Sequence, residues 1–301
     1  MTERPRLLLR LLDIARRVFT PLALIFLVLA AYSAREVFAQ VLAQARLAPL
    51  LLTVLAWSSL NLLLPVITWI VLRGLGVRVD YATALRIHVA RLPARYLPGG
   101  IWQTVSRMMD LHQLGVGRSQ LSVLVMVENL GSLATAVTAG GICVLLAGGS
   151  RLPAPAIIAT GVLLAAGLPW ILRRIFGRTA LRLPAYLAAL ATLLSFWMLT
   201  ATAFVIYWSA FPALELHGHL LDLYGAYLLA WAVGFVAVFA PQGIGVFEMV
   251  AAVQLRGELP LAGMAVLVAG FRAATLSGDA LAFMLGRLVC WTKASRRANM
   301  Q

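Results

Sequence analysis

Residues 50–72 read LLLTVLAWSSLNLLLPVITWIVL, a run without a single Asp, Glu, Lys or Arg. An α-helix needs about 20 consecutive apolar residues to cross the hydrocarbon core of a bilayer, so this stretch reads as a membrane span. Working outward from it, comparable runs cover about 18–34, 119–147, 154–172, 184–209 and 261–288. Two stretches differ. Residues 81–116 are too polar for a plain span and are interrupted at Pro98-Gly99-Gly100, and residues 223–257 are apolar but interrupted at Pro241-Gln242-Gly243. Composition agrees: the 301 residues are 62% hydrophobic and 12% charged, with a mean hydropathy of +0.91. An average soluble domain is about 25% charged, so a water-soluble fold, a disordered chain and a disulfide scaffold are all excluded. The expected fold is an all-α polytopic membrane protein, one membrane domain over residues 1–301. It has six full spans plus two broken, re-entrant helical hairpins. The alternative takes 223–240 as a full span and 243–256 as an added crossing, giving eight.

The formal charge of +14 comes from 24 Arg and one Lys. In a soluble protein that excess would point to nucleic acid. Here the basic residues lie between apolar runs, where they set orientation, and no nucleic-acid partner is expected. If both hairpins return to the side they entered, one side carries 20 of the 25 basic residues, the other holds Arg35, Arg46, Arg151 and Arg256, and Arg272 lies inside a span. That bias places both termini in the cytoplasm. The Arg-rich residues 1–17 flow into the run near Val18 with no small-residue cleavage site, which reads as a retained first span. Cys143 and Cys290 both sit in apolar segments and suggest neither a disulfide framework nor a metal site.

The pieces repeat. Span, span, broken hairpin, span describes residues 18–147 and again 154–288, and the breaks at Pro98 and Pro241 are 143 residues apart. An odd number of spans per half turns the second half upside down relative to the first. Inverted repeats interrupted by Gly and Pro at matching positions mark transport sites at the bilayer midplane. Non-helical backbone at membrane depth survives only where protein buries it or it lines a wet cavity. The first N–H groups of each return arm have no intrahelical partner and, with the helix dipole, form an anion site. Together with nearby arginines the two tips make an anion-preferring pocket. The competing reading is that each Pro-Gly pair merely ends a helix at a loop.

Certain side chains stand out. Arg95 lies three residues before the first break and Arg91 one turn earlier; either pairs well with a lipid phosphate, although ordinary interfacial arginine is the plainer reading of Arg91. Trp102 and Gln103 follow the break, and Trp102 also suits an interface anchor. Glu128 and Arg272 occupy near-equivalent positions of the two halves, since the 143-residue offset carries 128 to 271. Intramembrane charges are costly and usually pair, so Glu128 and Arg272 are expected to approach each other or share the cavity. The alternative is two separate pairs, for instance Arg272 with Asp279 on the same helix face. Glu248 is either a coupling carboxylate on the second return arm or an exposed residue near the far surface. His217 and His219 form a His-x-His in an outer loop, which reads as loop rather than metal site. Gly140, Gly141 and Ser132 suit close helix packing. No P-loop, HExxH or GxSxG is present. The chain is therefore expected to be no enzyme and to use no metal or cofactor.

At the two breaks the chain resembles the lysylphosphatidylglycerol synthase transmembrane region family, the flippase-like domain of bacterial and archaeal membrane proteins. The first matching segment is Arg95-Tyr96-Leu97-Pro98-Gly99-Gly100-Ile101-Trp102, followed by the connection Gly115-Val116-Gly117-Arg118. The second is Pro241-Gln242-Gly243-Ile244-Gly245-Val246-Phe247-Glu248, where the family pattern has Gly at the position of Gln242 and Arg at that of Phe247. The third is Arg272 in the last span. The resemblance covers nearly the whole chain. It implies a multi-pass protein of the bacterial cytoplasmic (inner) membrane without the family's soluble aminoacyl-transferase domain. It implies a translocase for a membrane phospholipid or a polyprenyl-phosphate-linked sugar, with Arg95, Pro98, Gly99, Gly100, Trp102, Gln103, Gly243, Gly245, Glu248 and Arg272 at the substrate. The alternatives are a non-catalytic scaffold for a lipid synthase or glycosyltransferase partner and, further off, a membrane-embedded lipid-modifying enzyme.

Overall fold

The computed structural model describes residues 25, 28–29, 32, 35–97, 101–148, 153–179, 181–212, 214, 220–238, 240, 243–255 and 261–298. The described residues form helices and connecting turns with no strand. In chain order the helices are α1 (Arg35–Ala43), α2 (Leu47–Leu60), α3 (Leu64–Gly74), α4 (Tyr81–Ala90), α5 (Trp102–Gln113), α6 (Arg118–Ala147), α7 (Ala154–Phe176), α8 (Leu183–Trp208), α9 (Leu220–Val236), α10 (Val246–Gln254) and α11 (Leu261–Ala298). A 3-10 turn, Leu92–Tyr96, follows α4. Five segments are long and apolar enough to cross a membrane: Leu47–Gly74, Arg118–Ala147, Ala154–Phe176, Leu183–Trp208 and Leu261–Val289. They match the expected spans two to six. The first expected span, 18–34, lies almost wholly outside the described residues.

The broken stretches are short helices. At about 1.5 Å per residue, the 9 residues of α10 reach about 13 Å and the 12 of α5 about 18 Å, well short of a 30 Å core. The second stretch also holds α9, an apolar helix of 17 residues reaching about 25 Å, so the short α10 is the element on which six spans and the eight-crossing alternative differ. The outward surface of the first hairpin is apolar along much of its length: Leu97, Ile101, Trp102, Val105, Met109 and Leu114 are exposed, with His112 and Gln113 exposed beside Leu114.

Two local features shape the interior. Pro65 lacks an N–H and its ring clashes with the carbonyl four residues back, so the span Leu47–Gly74 breaks into a turn at 61–63 between α2 and α3. The break points the Asn61 side chain inward, where it is buried. α6 is the central pillar: 61% of its apolar window is enclosed by protein, against 17–44% for the other spans. Its small residues allow this. A Cβ on Gly140 would sit 2.9 Å from Leu229, and one on Gly141 would sit 2.8 Å from Ile158. An aromatic cluster of Phe204, Tyr207, Tyr227, Phe247 and Phe271 fills the space between α8, α9, α10 and α11.

Candidate functional site

Three acids organise the interior, Glu248 and Asp279 buried and Glu128 mostly so, and each takes an arginine. Glu128 on α6 accepts from Arg107 of α5, NH2 to Oε1 at 2.8 Å and NH1 to Oε2 at 3.2 Å. Thr68 of α3 closes the group, donating to Glu128 Oε1 at 2.9 Å and accepting from Arg107 NH2 at 2.8 Å. Glu248 on α10 pairs with Arg272 Nε of α11 and accepts from the backbone N–H of Gly245 at 2.7 Å. Asp279 on α11 is held by four donors. Trp57 Nε1 and Asn61 Nδ2 reach Oδ1, each at 3.0 Å, and Arg95 NH1 and the Tyr96 hydroxyl reach Oδ2, each at 2.7 Å. A charge this deep is tolerable only when paired and hydrogen-bonded, and all three acids meet that condition.

The pairing expected between Glu128 and Arg272 is not formed, and neither is its alternative of Arg272 with Asp279. Glu128 goes to Arg107, Arg272 to Glu248 and Asp279 to Arg95. The physical reason is common to all three: each charge on a long span meets one brought in by a broken hairpin, not one from the equivalent span of the other half. Arg107 and Arg95, counted by sequence as cytoplasmic-side charges, are internal partners instead. Arg91 does lie at the surface, in a two-bond pair with Asp110 at 2.7 Å each. Among the described residues three interior arginines each face a carboxylate.

The last span is where the two hairpins come together. Arg272 and Asp279 are seven residues apart, about 10 Å along the helix. Glu248 of the second hairpin engages the first of them and Arg95 of the first hairpin the second. The fields of Arg95 and Arg272 both reach Tyr96 and Tyr227. The acids are sealed while their arginines are partly open: side-chain exposure is 2% for Asp279 against 26% for Arg95, and 1% for Glu248 against 33% for Arg272. The burial of Glu248 removes the reading that puts it at the far surface.

Neighbouring groups complete the site. Asn61 Nδ2 is directed at Asp279 and at the Trp57 carbonyl, so Asn61 Oδ1 accepts from His88 Nε2 at 3.2 Å. That assignment leaves His88 Nδ1 as a bare, buried acceptor without a partner among the described residues. Gln103 Oε1 accepts from Arg95 Nε at 2.9 Å, and Gln103 Nε2 is likewise buried and without a partner among them. Trp102 is exposed, as an anchor would be.

The tips themselves, Pro98, Gly99, Gly100, Pro241 and Gln242, lie outside the described residues, as do His217 and His219. Gly243 and Gly245 are described, and backbone geometry demands both. They have φ of 66° and 83°, and a Cβ on Gly243 would sit 2.9 Å from Gly234 Cα. At the start of the second return arm Glu248 reaches back to the N–H of Gly245, the residue before α10. Phe247, where the resembled family has Arg, lies under the Arg272 guanidinium at 5.2 Å.

Sequence reading gave no site role to Arg107, Thr68, Trp57, Asn61 and His88, and Tyr96 stood in the first matching segment without a role of its own. Only Asn61 carried a usable signal, as an amide within an otherwise apolar span just before Pro65. No group of three or more His, Cys, Asp or Glu suited to a metal ion occurs among the described residues. Neither a scan against protein-family models nor a search of curated proteins finds a match. What is established is thus an all-α, multi-pass membrane protein with arginine–carboxylate pairs in its interior.

Proposed function

We propose that this chain is a translocase for a lipid or lipid-linked sugar, binding the anionic headgroup near the bilayer midplane between Arg95 and Arg272. One observation carries the reading. Two partly open arginines, one on the first hairpin and one on the last span facing the second hairpin, are each held by a sealed acid, and the two pairs meet α11 at Asp279 and Arg272, about 10 Å apart along it. An arginine so held is pre-oriented, and its planar fork can exchange a carboxylate for a phosphate. The resemblance to the flippase-like family supports the same reading and implies a bacterial inner-membrane protein. The arginine bias favours cytoplasmic termini, and the repeat of span, hairpin and span favours an inverted arrangement. A partner lipid synthase or glycosyltransferase would supply the cargo.

The test is reconstitution into phosphatidylcholine–phosphatidylglycerol vesicles with a fluorescent phosphatidylglycerol, following the outer-leaflet fraction by dithionite quenching. The protein is expected to accelerate exchange between leaflets, and Arg95→Ala and Arg272→Ala each to slow it by at least about tenfold, the scale of one lost charge-assisted contact. Exchange no faster than in protein-free vesicles, from folded protein, removes the translocase reading and favours the scaffold.

A further inference from the structure

We propose that Oδ2 of Asp279 is a proton-binding site and that each anionic headgroup is carried together with one proton; this rests on the translocase reading. Among the described residues three interior arginines are each paired with a carboxylate, so a phosphate that takes Arg95 displaces its acid. Asp279 is built to respond to that displacement, because its two oxygens belong to different bodies. Oδ1 is held by Trp57 and Asn61 at the break in the span Leu47–Gly74, and Oδ2 is held by Arg95 and Tyr96, adjacent residues of the 3-10 turn before the first tip.

When a headgroup phosphate takes Arg95, the turn carries Tyr96 with it. Oδ2 then loses both donors in one movement while Oδ1 keeps both of its own. Among the described residues no second cation bonds Asp279. α2 presents the neutral Trp57, and Asn61 beyond it is neutral too. α4 presents His88 only through Asn61. The Glu248 of α10 is engaged with Arg272 two turns away, and the α1 charges Arg35 and Glu36 are exposed and paired with each other. Arg107 of α5 is held by Glu128. A carboxylate sealed to 2% and stripped of its cation neutralises by taking a proton. The proton comes from hydronium in the water on the side open to cargo, whose O–H bond breaks as one forms at Oδ2, and it returns to water on the far side, re-forming hydronium, when Arg95 swings back. The charge added to the interior is then zero at every stage.

The experiment titrates dihexanoylphosphatidylglycerol into the purified full-length protein in weakly buffered detergent, reading proton uptake with a pH-indicator dye and binding by calorimetry. The wild type is expected to take up about one proton per lipid bound, and its affinity to fall about tenfold per unit rise in pH, the linkage for one coupled proton. Asp279→Asn releases Arg95 from its acid and is expected to bind about tenfold or more tighter at high pH, with no proton uptake and no pH dependence. Asp279→Glu is expected to restore uptake. Lipid binding by the wild type without proton uptake overturns the proposal and leaves the translocase reading standing, as does equal uptake by Asp279→Asn. No binding by the folded wild type overturns both. The wild-type pH series decides the matter even where the Asn variant fails to fold.

Discussion

Replacing Arg107 by Met isolates what a hairpin charge contributes to the fold. Arg107 makes three of the four bonds in its cluster, two to Glu128 and one to Thr68. After Arg107→Met, Glu128 keeps only the Thr68 hydroxyl at 2.9 Å. Its side chain is 13% exposed, too little for water to take the place of a guanidinium. Breaking a buried pair by removing one partner costs about 3–5 kcal/mol, because the other charge is left uncompensated. At about 2–4 °C per kcal/mol for a chain of a few hundred residues, the melting temperature should fall by on the order of 10 °C. Glu128→Met should cost a similar amount for the mirror reason. The double variant Arg107→Met/Glu128→Met removes both charges and fills the space with apolar side chains, so it should recover to within about 1 kcal/mol of wild type or exceed it. The assay is thermal unfolding in detergent, followed by size-exclusion recovery. A single variant that melts within about 2 °C of wild type, or a double variant worse than either single, would refute the claim that the pair is buried and mutually dependent.

The other outcomes test separate parts of the structure. Gly243→Ala should lower stability by about 1–3 kcal/mol, since it forces a side chain onto positive φ and against the Gly234 backbone. The same denaturation assay reads it. Gly278→Ala should cost about as much through overpacking, because its Cβ would meet Trp57 Cβ and the Val54 carbonyl at 2.9 Å each. It should also shift tryptophan emission by moving Trp57 away from Asp279. Arg91→Ala removes a surface pair with Asp110 and should change stability by less than about 1 kcal/mol. A loss comparable to Arg107→Met would mean that the first hairpin is docked differently. Arg272→Lys should retain only part of the translocation of wild type, since an ammonium cannot both keep the Nε contact with Glu248 and offer the remaining guanidinium N–H groups to a phosphate. Dithionite quenching in vesicles reads that difference.

Most of the membrane architecture was legible because it depends on long runs of one residue class. Spans such as 119–147 and 184–209 are recovered almost to the residue as Arg118–Ala147 and Leu183–Trp208. The site was legible by residue and not by partner. Glu128, Glu248, Arg272, Asp279 and Arg95 were all singled out, but a hydropathy pattern carries no information about which hairpin face meets which span. Arg107 shows why. By sequence it is one more arginine in a polar stretch, and only the docking of α5 against α6 makes it 7% exposed. Asn61 shows the same limit, because its inward direction follows from the Pro65 break and not from its own neighbours.

The pairings also explain why the chain tolerates charge in its spans at all. In the first half the hairpin helix α5 supplies the base, Arg107, and the span α6 the acid, Glu128; in the second half the hairpin helix α10 supplies the acid, Glu248, and the span α11 the base, Arg272. A hairpin shifted by one turn in either half would strand a buried charge on each side of the contact, so these pairs specify register as well as compensate charge. Arg95 with Asp279 is the exception, joining the first hairpin to the last span across the two halves, and it is also a pair whose arginine is partly open. The two within-half pairs hold each hairpin in its own half. Of the three interior ion pairs among the described residues, Arg95 with Asp279 is thus the one whose release leaves the charge pair of each hairpin helix, Arg107 with Glu128 and Glu248 with Arg272, intact.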